Sequence, residues 1–206
     1  MPEIVKYLIC VVSGYFIGSV STGLLIASIK KVDLRGSGSG GTGTTNVLRT
    51  MGKLPALLTF LGDIAKVIVP IVLIRVFLGT EEDWYLLSLL YGLSAVFGHC
   101  YPIYYGFKGG KGIAVTTALI CATSHPWVII GGVIVFVAVV AISRYVSLGS
   151  LTVVPIVLIL NTIVYHRSDR LFIPMLIVSI LIGALDYFRH RTNIVRLIHG
   201  EENKLF

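Results

Sequence analysis

The chain has 206 residues, of which 55% are hydrophobic and only 13% charged, and its mean hydropathy is +0.90. Soluble domains carry about 25% charged residues, so this composition excludes an ordinary soluble protein and predicts a polytopic membrane protein, one domain by length (residues 1–206). The net charge of +7 lies between the apolar runs and favours anionic partners, lipid headgroups or phosphorylated substrates. Nucleic acid fits poorly, because no basic helix or aromatic-studded surface stands outside the apolar segments.

Residues 4–29 form the first predicted span, long enough to cross about 30 Å of hydrocarbon. No small-residue cleavage site follows it, so it reads as a retained helix rather than a signal peptide. Gly14, Gly18, Ser21 and Ser28 give it a small-residue stripe suited to close helix packing. The polar run 33–53, DLRGSGSGGTGTTNVLRTMGK, comes next. Its glycines let the backbone approach a ligand closely, Ser37, Ser39, Thr42, Thr44 and Thr45 add hydroxyls, and Asn46 adds an amide. With Arg35, Arg49 and Lys53 nearby, this set of donors suits a phosphate. A flexible linker is the plain alternative, but Gly/Ser linkers rarely carry Asn and Arg on so short a loop.

The second span is 54–78, opened by Pro55. Asp63 and Lys66 lie inside it at i, i+3, where they are expected to pair or to face a water-filled cavity, in a structural or a catalytic role. Glu81, Glu82 and Asp83 form an acidic turn before Trp84, an interfacial anchor type. The third span is 84–105, followed by the turn GFKGGKG over 106–112. Pro126 divides the next apolar stretch into a short fourth helix, 113–123, which cannot span upright unless the protein shields its end, and a fifth, 127–142. The sixth and seventh spans are 149–165 and 171–187, with HRSDR between them, and a basic tail closes the chain. Placing the N-terminus outside puts 30–53, 106–112, 143–147 and the tail inside, with most of the 17 Lys and Arg residues, while the acidic turn falls outside. The predicted fold is therefore an all-α integral membrane protein of seven transmembrane helical segments, N-terminus outside and C-terminus cytosolic.

All the Gly-rich and basic features then share one membrane face. Lys108-Gly109-Gly110-Lys111-Gly112 sets three N–H groups between two ammonium groups at a helix start, an anion site on dipole and donor grounds. An anchor loop obeying the charge rule explains the lysines but not the glycines. It is not a Walker loop: the spacing from Gly106 to Lys111 is one residue short, and Gly112 stands where Ser or Thr should bind magnesium. Gly36, Gly38 and Gly41 match GxGxxG without the strand that motif requires. In the tail, His190 and Asn193 project from one side of a helix, where the imidazole is a candidate general base and the amide can orient a hydroxyl. The alternative is an amphipathic surface helix whose Arg189, Arg191 and Arg196 meet lipid phosphates. His99 reads as a buried hydrogen-bonding residue; His125, His166 and His199 sit at boundaries with no shared pattern. Arg144 and Ser147 lie at the inner end of the fifth helix, where a lone Arg normally snorkels. The cysteines, Cys10, Cys100 and Cys121, support neither a disulfide framework nor a zinc site and read as packing residues. No GxSxG, HExxH or His-x4-Asp sequence occurs, so covalent serine, zinc and soluble acyltransferase-type chemistry are not expected.

Taken together, GSGxxGTTNVLR (Gly38–Arg49), GHCYPIYYGFKGGKGIA (Gly98–Ala114), RYVSLGS (Arg144–Ser150) and HRTNIVRLIHGEE (His190–Glu202) resemble the bacterial membrane-bound acyl-phosphate:glycerol-3-phosphate acyltransferases over the whole chain. The resemblance implies a seven-helix enzyme of the bacterial cytoplasmic (inner) membrane, with its active site on the cytosolic face and no cofactor or metal. It implies a long-chain acyl phosphate donor, the 1-hydroxyl of sn-glycerol 3-phosphate as acceptor, and lysophosphatidic acid and inorganic phosphate as products, the first acylation of phospholipid synthesis. Carried over by position, Ser39, Arg49, His190 and Asn193 are catalytic. Gly40, Thr45, Asn46, Lys108, Gly109, Gly110, Lys111, Gly112 and Ser147 bind substrate, and Glu202 is structural. Gly41 departs from the pattern, which usually has Asn there. Both substrates carry a phosphate and the chain offers two cationic glycine-rich loops, so the residue reading agrees. A membrane transporter of an anionic phosphorylated metabolite, with 33–49 dipping into the bilayer, is the competing reading; against it, the two halves share no repeated motif. A purely structural lipid scaffold leaves the Asn, His and Arg placements unexplained.

Overall fold

The computed structural model describes residues 1–165 and 169–204, with the backbone alone at 169. Residues 166–168 of the expected HRSDR turn, His166 among them, lie outside the described residues, as do the last two of the tail. Among the described residues all regular structure is helical. In chain order the helices are α1 (Glu3–Gly18), α2 (Thr22–Ile29), α3 (Thr44–Met51), α4 (Lys53–Leu73), α5 (Trp84–Cys100), α6 (Ile113–Thr123), α7 (Pro126–Ser143), α8 (Val146–Tyr165), α9 (Asp169–Arg189) and α10 (Arg191–Ile198). A π-helical turn, Ile74–Leu78, extends α4, and a 3-10 turn, Ile103–Tyr105, follows α5.

Among the described residues six runs are long and apolar enough to cross a membrane: Glu3–Ile29, Lys53–Leu78, Trp84–Tyr105, Pro126–Ser143, Val146–Tyr165 and Arg170–Arg189. The seventh expected segment, α6, has 11 residues, about 16 Å of helix, and packs against α4, α5 and α8. α5 is the axis of the bundle, set against α1, α6 and α9, with Leu87, Leu89, Tyr91, Ala95 and Val96 wholly enclosed. The small-residue stripe of α1 is what lets the two helices meet. A Cβ on Gly18 would stand 2.3 Å from the Ala95 carbonyl oxygen, and one on Gly14 2.6 Å from that of Tyr91.

Several expectations are corrected. The first crossing is not one helix: it breaks at Ser19–Ser21, where the Ser21 side chain caps α2 by accepting from the Leu24 N–H. Within the polar run 33–53, the 8 residues Thr44–Met51 are helix, α3, rather than loop. Trp84 is buried beneath the Arg75 guanidinium, 4.6 Å above its ring, instead of anchoring at the interface. Cys10 and Cys100 are packed inside as expected, but Cys121 is exposed on α6.

Non-helical or proline-broken backbone at membrane depth leaves carbonyls that water cannot reach, so the protein must supply donors. The Val20 carbonyl in the α1–α2 break accepts from Lys66 Nζ at 2.8 Å. Pro70 has no N–H to give the Lys66 carbonyl one turn back, and the Tyr91 hydroxyl donates there instead at 2.6 Å. Pro155 frees the Leu151 carbonyl in the same way, and the Tyr187 hydroxyl takes it at 2.9 Å. Buried ions follow the same logic. Asp63 and Lys66 form the expected pair, Nζ to Oδ1 2.8 Å, with side chains 2% and 6% exposed.

Contacts between the ends divide the molecule into two faces. On one, Lys6 pairs with Asp83 at 2.8 Å and Glu3 with Arg170 at 2.8 Å. On the other, the loop after α2, the loop after α5, the start of α8 and the tail are hydrogen-bonded to one another.

The proline–tyrosine arrangement predicts that Tyr91→Phe destabilises the protein by about 1–2 kcal/mol through an orphaned Lys66 carbonyl. Adding Pro70→Ala, which restores the missing N–H, should recover most of that loss in thermal unfolding in detergent.

Candidate functional site

The site is built from two loops and the tail. In loop one, residues 30–43, the amide of Asn46 organises the turn from the first coil of α3. Its Oδ1 accepts from the Ser39 N–H at 2.8 Å and the Ser39 hydroxyl at 3.2 Å. Its Nδ2 donates to the carbonyls of Leu34, Ser37 and Gly41 at 3.1, 3.1 and 2.8 Å. Asn46 is 2% exposed, so it shapes the loop, and its amide is fully engaged before any substrate arrives. Gly38 is required beneath it: its φ is +60°, and a Cβ there would come 2.3 Å from Asn46 Oδ1. At Gly41, the departure from the motif, only the carbonyl is used, and any residue has that. Ser39, Gly40 and Thr45 are left exposed around the open end of α3, and Arg49 is exposed in its last turn; the first N–H groups of the helix have no partner within it.

Loop two, residues 101–112, differs from its sequence reading. Two of the three glycine N–H groups expected to face an anion are committed to the end of α5: Gly109 donates to the Cys100 carbonyl at 3.2 Å and Gly110 to that of His99 at 3.1 Å. The loop is thereby pinned, and its own carbonyls turn outward to arginines. Arg189 donates to the Gly110 carbonyl from Nε at 3.2 Å and from its terminal nitrogen at 2.7 Å, and to that of Gly109 at 3.2 Å. Its guanidinium also stacks 5.0 Å from the centre of the Tyr101 ring. Arg35 of loop one donates to the carbonyls of Tyr105 at 2.8 Å and Lys108 at 2.5 Å, so the two loops are joined directly. Lys108 and Lys111 remain exposed, and Gly112 caps the start of α6.

The tail closes the third side. Glu202 Oε1 accepts from the Ser147 hydroxyl at 3.0 Å and from Asn193 Nδ2 at 2.6 Å, while Oε2 pairs with Arg196 Nε at 3.0 Å. One carboxylate therefore ties α8, α10 and the segment after α10 together. Among the described residues the buried Asn193 Oδ1 has no partner. His190, 3% exposed, is the residue before α10, and its Nδ1 lies 2.8 Å from the Asp186 carbonyl. A carbonyl only accepts, so Nδ1 carries the proton and Nε2 keeps a lone pair.

Electrostatics bring these pieces into one field. Lys111 is held below the ordinary lysine range, first by desolvation and then by the charges of Arg196, Arg189 and Arg49, against which Glu202 acts. His190 is likewise lowered, chiefly by burial, with Lys111 and Arg189 adding to it and the Asp186 carbonyl and Glu202 opposing, so it is neutral at neutral pH. Such a concentration of unneutralised cations is stabilised by an arriving anion. Arg49 from α3, Lys111 from loop two, Ser147 from α8, and His190 and Asn193 from the tail therefore converge, with Lys108 exposed on the same loop as Lys111.

Two contributors were not singled out by sequence. Arg189, read there as a residue meeting lipid phosphates, holds loop two; its position directly before His190 was the available signal. Arg35, counted only as loop charge, is the clasp between the loops, and no local pattern marks it. Of the other tail arginines, Arg196 pairs with Glu202, and Arg191 donates to the Phe188 carbonyl and covers that ring.

The sequence model of the glycerol-3-phosphate acyltransferase family matches residues 8–200. A glycerol-3-phosphate acyltransferase of Shouchella clausii (strain KSM-K16) is 38% identical over 206 residues, 98% of this chain and 97% of that protein. Another, from Aquifex aeolicus (strain VF5), is 39% identical over 199 residues, 97% of this chain and 99% of that one. In three dimensions the chain is similar to the integral membrane glycerol 3-phosphate acyltransferase PlsY (YgiH). Against its glycerol 3-phosphate form the TM-score is 0.82 at 37% identity, covering 97% of this chain and 96% of that one. Against its lysophosphatidic acid form the TM-score is 0.81 at 35% identity, covering 97% and 95%. Sequence and fold therefore agree, and the chain belongs to the glycerol-3-phosphate acyltransferase family.

Proposed function

We propose that this protein moves a long-chain fatty acyl group from acyl phosphate to the 1-hydroxyl of sn-glycerol 3-phosphate, giving lysophosphatidic acid and inorganic phosphate. The observation that carries the proposal is the clasp of Arg35 between two cationic loops, with the neutral imidazole of His190 in the same electrostatic field as Lys111. Two substrates that each carry a phosphate need two neighbouring anion sites, and this face supplies them. Its relatives' names, and the glycerol 3-phosphate and lysophosphatidic acid forms of PlsY, support the acceptor and the product.

In this reading the acceptor hydroxyl attacks the acyl carbonyl, the bond from that carbon to the phosphate oxygen breaks, and phosphate leaves with its electron pair. Acyl phosphate is a mixed anhydride and already activated, so no covalent enzyme intermediate is needed. The protein positions the hydroxyl and stabilises the charge that grows on the departing phosphate. Arg49, Lys108 and Lys111 supply positive charge, with Thr45 and the open end of α3 as further donors, while the Ser39 hydroxyl, its proton on Asn46, offers lone pairs to a substrate hydroxyl. Nε2 of His190 takes the hydroxyl proton, and the unpartnered Asn193 Oδ1 accepts from a substrate hydroxyl. Asn46, Gly109, Gly110, Gly112, Ser147 and Glu202 hold the shape into which the substrates fit. The same reading places the loop face at the cytosol of a bacterial inner membrane, where phosphorylated metabolites reside and where the positive-inside rule puts these residues. α6 then serves as the seventh crossing, shielded by its neighbours.

In detergent, glycerol 3-phosphate and palmitoyl phosphate should yield lysophosphatidic acid, and palmitoyl-CoA should not replace the phosphate donor; a transporter makes no lipid there. Arg49→Ala or Lys108→Ala should lower kcat/KM by about 100-fold or more with the unfolding temperature unchanged, and full activity in both would discard the assignment. Because His190 is neutral down to below 6.5, the ordinary imidazole value, the acid limb of kcat/KM should fall below that pH and disappear in His190→Gln. Stability follows the same sign: the unfolded imidazole takes up its proton first, so stability should fall as pH drops from 6.5 toward the lowered folded value.

A further inference from the structure

One buried ion lies beside the site without belonging to it. Lys66 Nζ has three donors and three acceptors at bonding distance: Asp63 Oδ1 at 2.8 Å, the Val20 carbonyl at 2.8 Å and His99 Nδ1 at 3.0 Å. Asp63 and His99 are 2% and 4% exposed, and the Lys66 side chain 6%. An ammonium accepts nothing, so His99 Nδ1 is the acceptor, the imidazole is neutral and its proton is on Nε2. That fixes the ring by one edge. The other edge lies against loop two: a Cβ built on Gly110 would fall 2.2 Å from His99 Nε2, with the ring's two neighbouring carbons at 3.0 and 3.1 Å. The same histidine's carbonyl accepts the Gly110 N–H. Loop two therefore rests on His99 through both backbone and ring, and the ring rests on Lys66.

We propose that Lys66 is a positioning residue for loop two: held by Asp63 and the Val20 carbonyl, it sets the orientation of His99, and His99 sets the height at which Gly109 and Gly110 present Lys108 and Lys111. This rests on the reading of loop two as a phosphate site. Lys66 touches no substrate. It transmits the register of the α1–α2 break, α4 and α5 to a loop that is otherwise held by Arg189, Arg35 and its backbone bonds to the end of α5. Gly110 is required for the same reason, since any side chain there would displace the ring.

Three variants test this: Lys66→Met, which removes the ammonium; His99→Asn, whose amide oxygen can still accept from Lys66 but which leaves Gly110 without its support; and Gly110→Ala. Hydrogen exchange over residues 106–112 reads the loop without substrate, and steady-state kinetics with glycerol 3-phosphate and palmitoyl phosphate read its consequence. All three variants should exchange faster in 106–112 with α7 and α8 unchanged. They should raise the KM of a phosphorylated substrate by about tenfold or more, while kcat falls by less. Should Lys66→Met fold poorly, His99→Asn and Gly110→Ala carry the test. Unchanged exchange in those two overturns the proposal, as does a loss of activity confined to kcat. If the wild-type chain makes no lysophosphatidic acid, the functional reading fails while the exchange measurement still decides the role of Lys66.

Discussion

Inside a bilayer a backbone carbonyl without a donor cannot turn to water, and this constraint organises the protein. At three interruptions of the helical ladder a side chain from another helix completes it. Lys66 does so in the break between α1 and α2, and Tyr91 and Tyr187 do so opposite Pro70 and Pro155. Each repair crosses from one helix to another, so the interruptions become ties between helices. α5, which lends Tyr91 and His99 to these ties, is also the helix on whose last carbonyls loop two is seated.

The loop face extends the same principle outside the apolar zone. Loop one closes around the Asn46 amide, loop two around the end of α5 and the Arg189 guanidinium, and the tail around Glu202. These polar networks satisfy the backbone internally and leave the long cationic side chains facing out. Pre-organised charge of this kind stabilises a departing phosphate without reorganising at the moment of reaction. Neutral His190 fits among the cations because burial and neighbouring positive charge both disfavour its protonation.

Much of this was legible in the sequence. The apolar runs, the proline at the start of α7, the i, i+3 pair of Asp63 and Lys66 and the glycine-rich basic loops are local signals, and the structure places the proline and the ion pair as read. The residue types of the site were legible too, but not always their tasks. Asn46 looked like a ligand donor; its amide turns inward because carbonyls from as far back as Leu34 fold over it. The glycines of loop two looked like free donors, yet the end of α5 is opposite them. Trp84 looked like an interfacial anchor and is covered by Arg75 instead.

By itself the sequence determined which stretches leave water, where proline opens α7, and which residue types gather between the apolar runs, because hydropathy, proline geometry and glycine freedom act over a few neighbouring residues. Only the tertiary structure decided which donor meets which acceptor: Arg35 with loop two, Arg189 with Gly110, Lys66 with His99. Those partners are joined by helix packing across tens of residues, and no local pattern records which helices become neighbours.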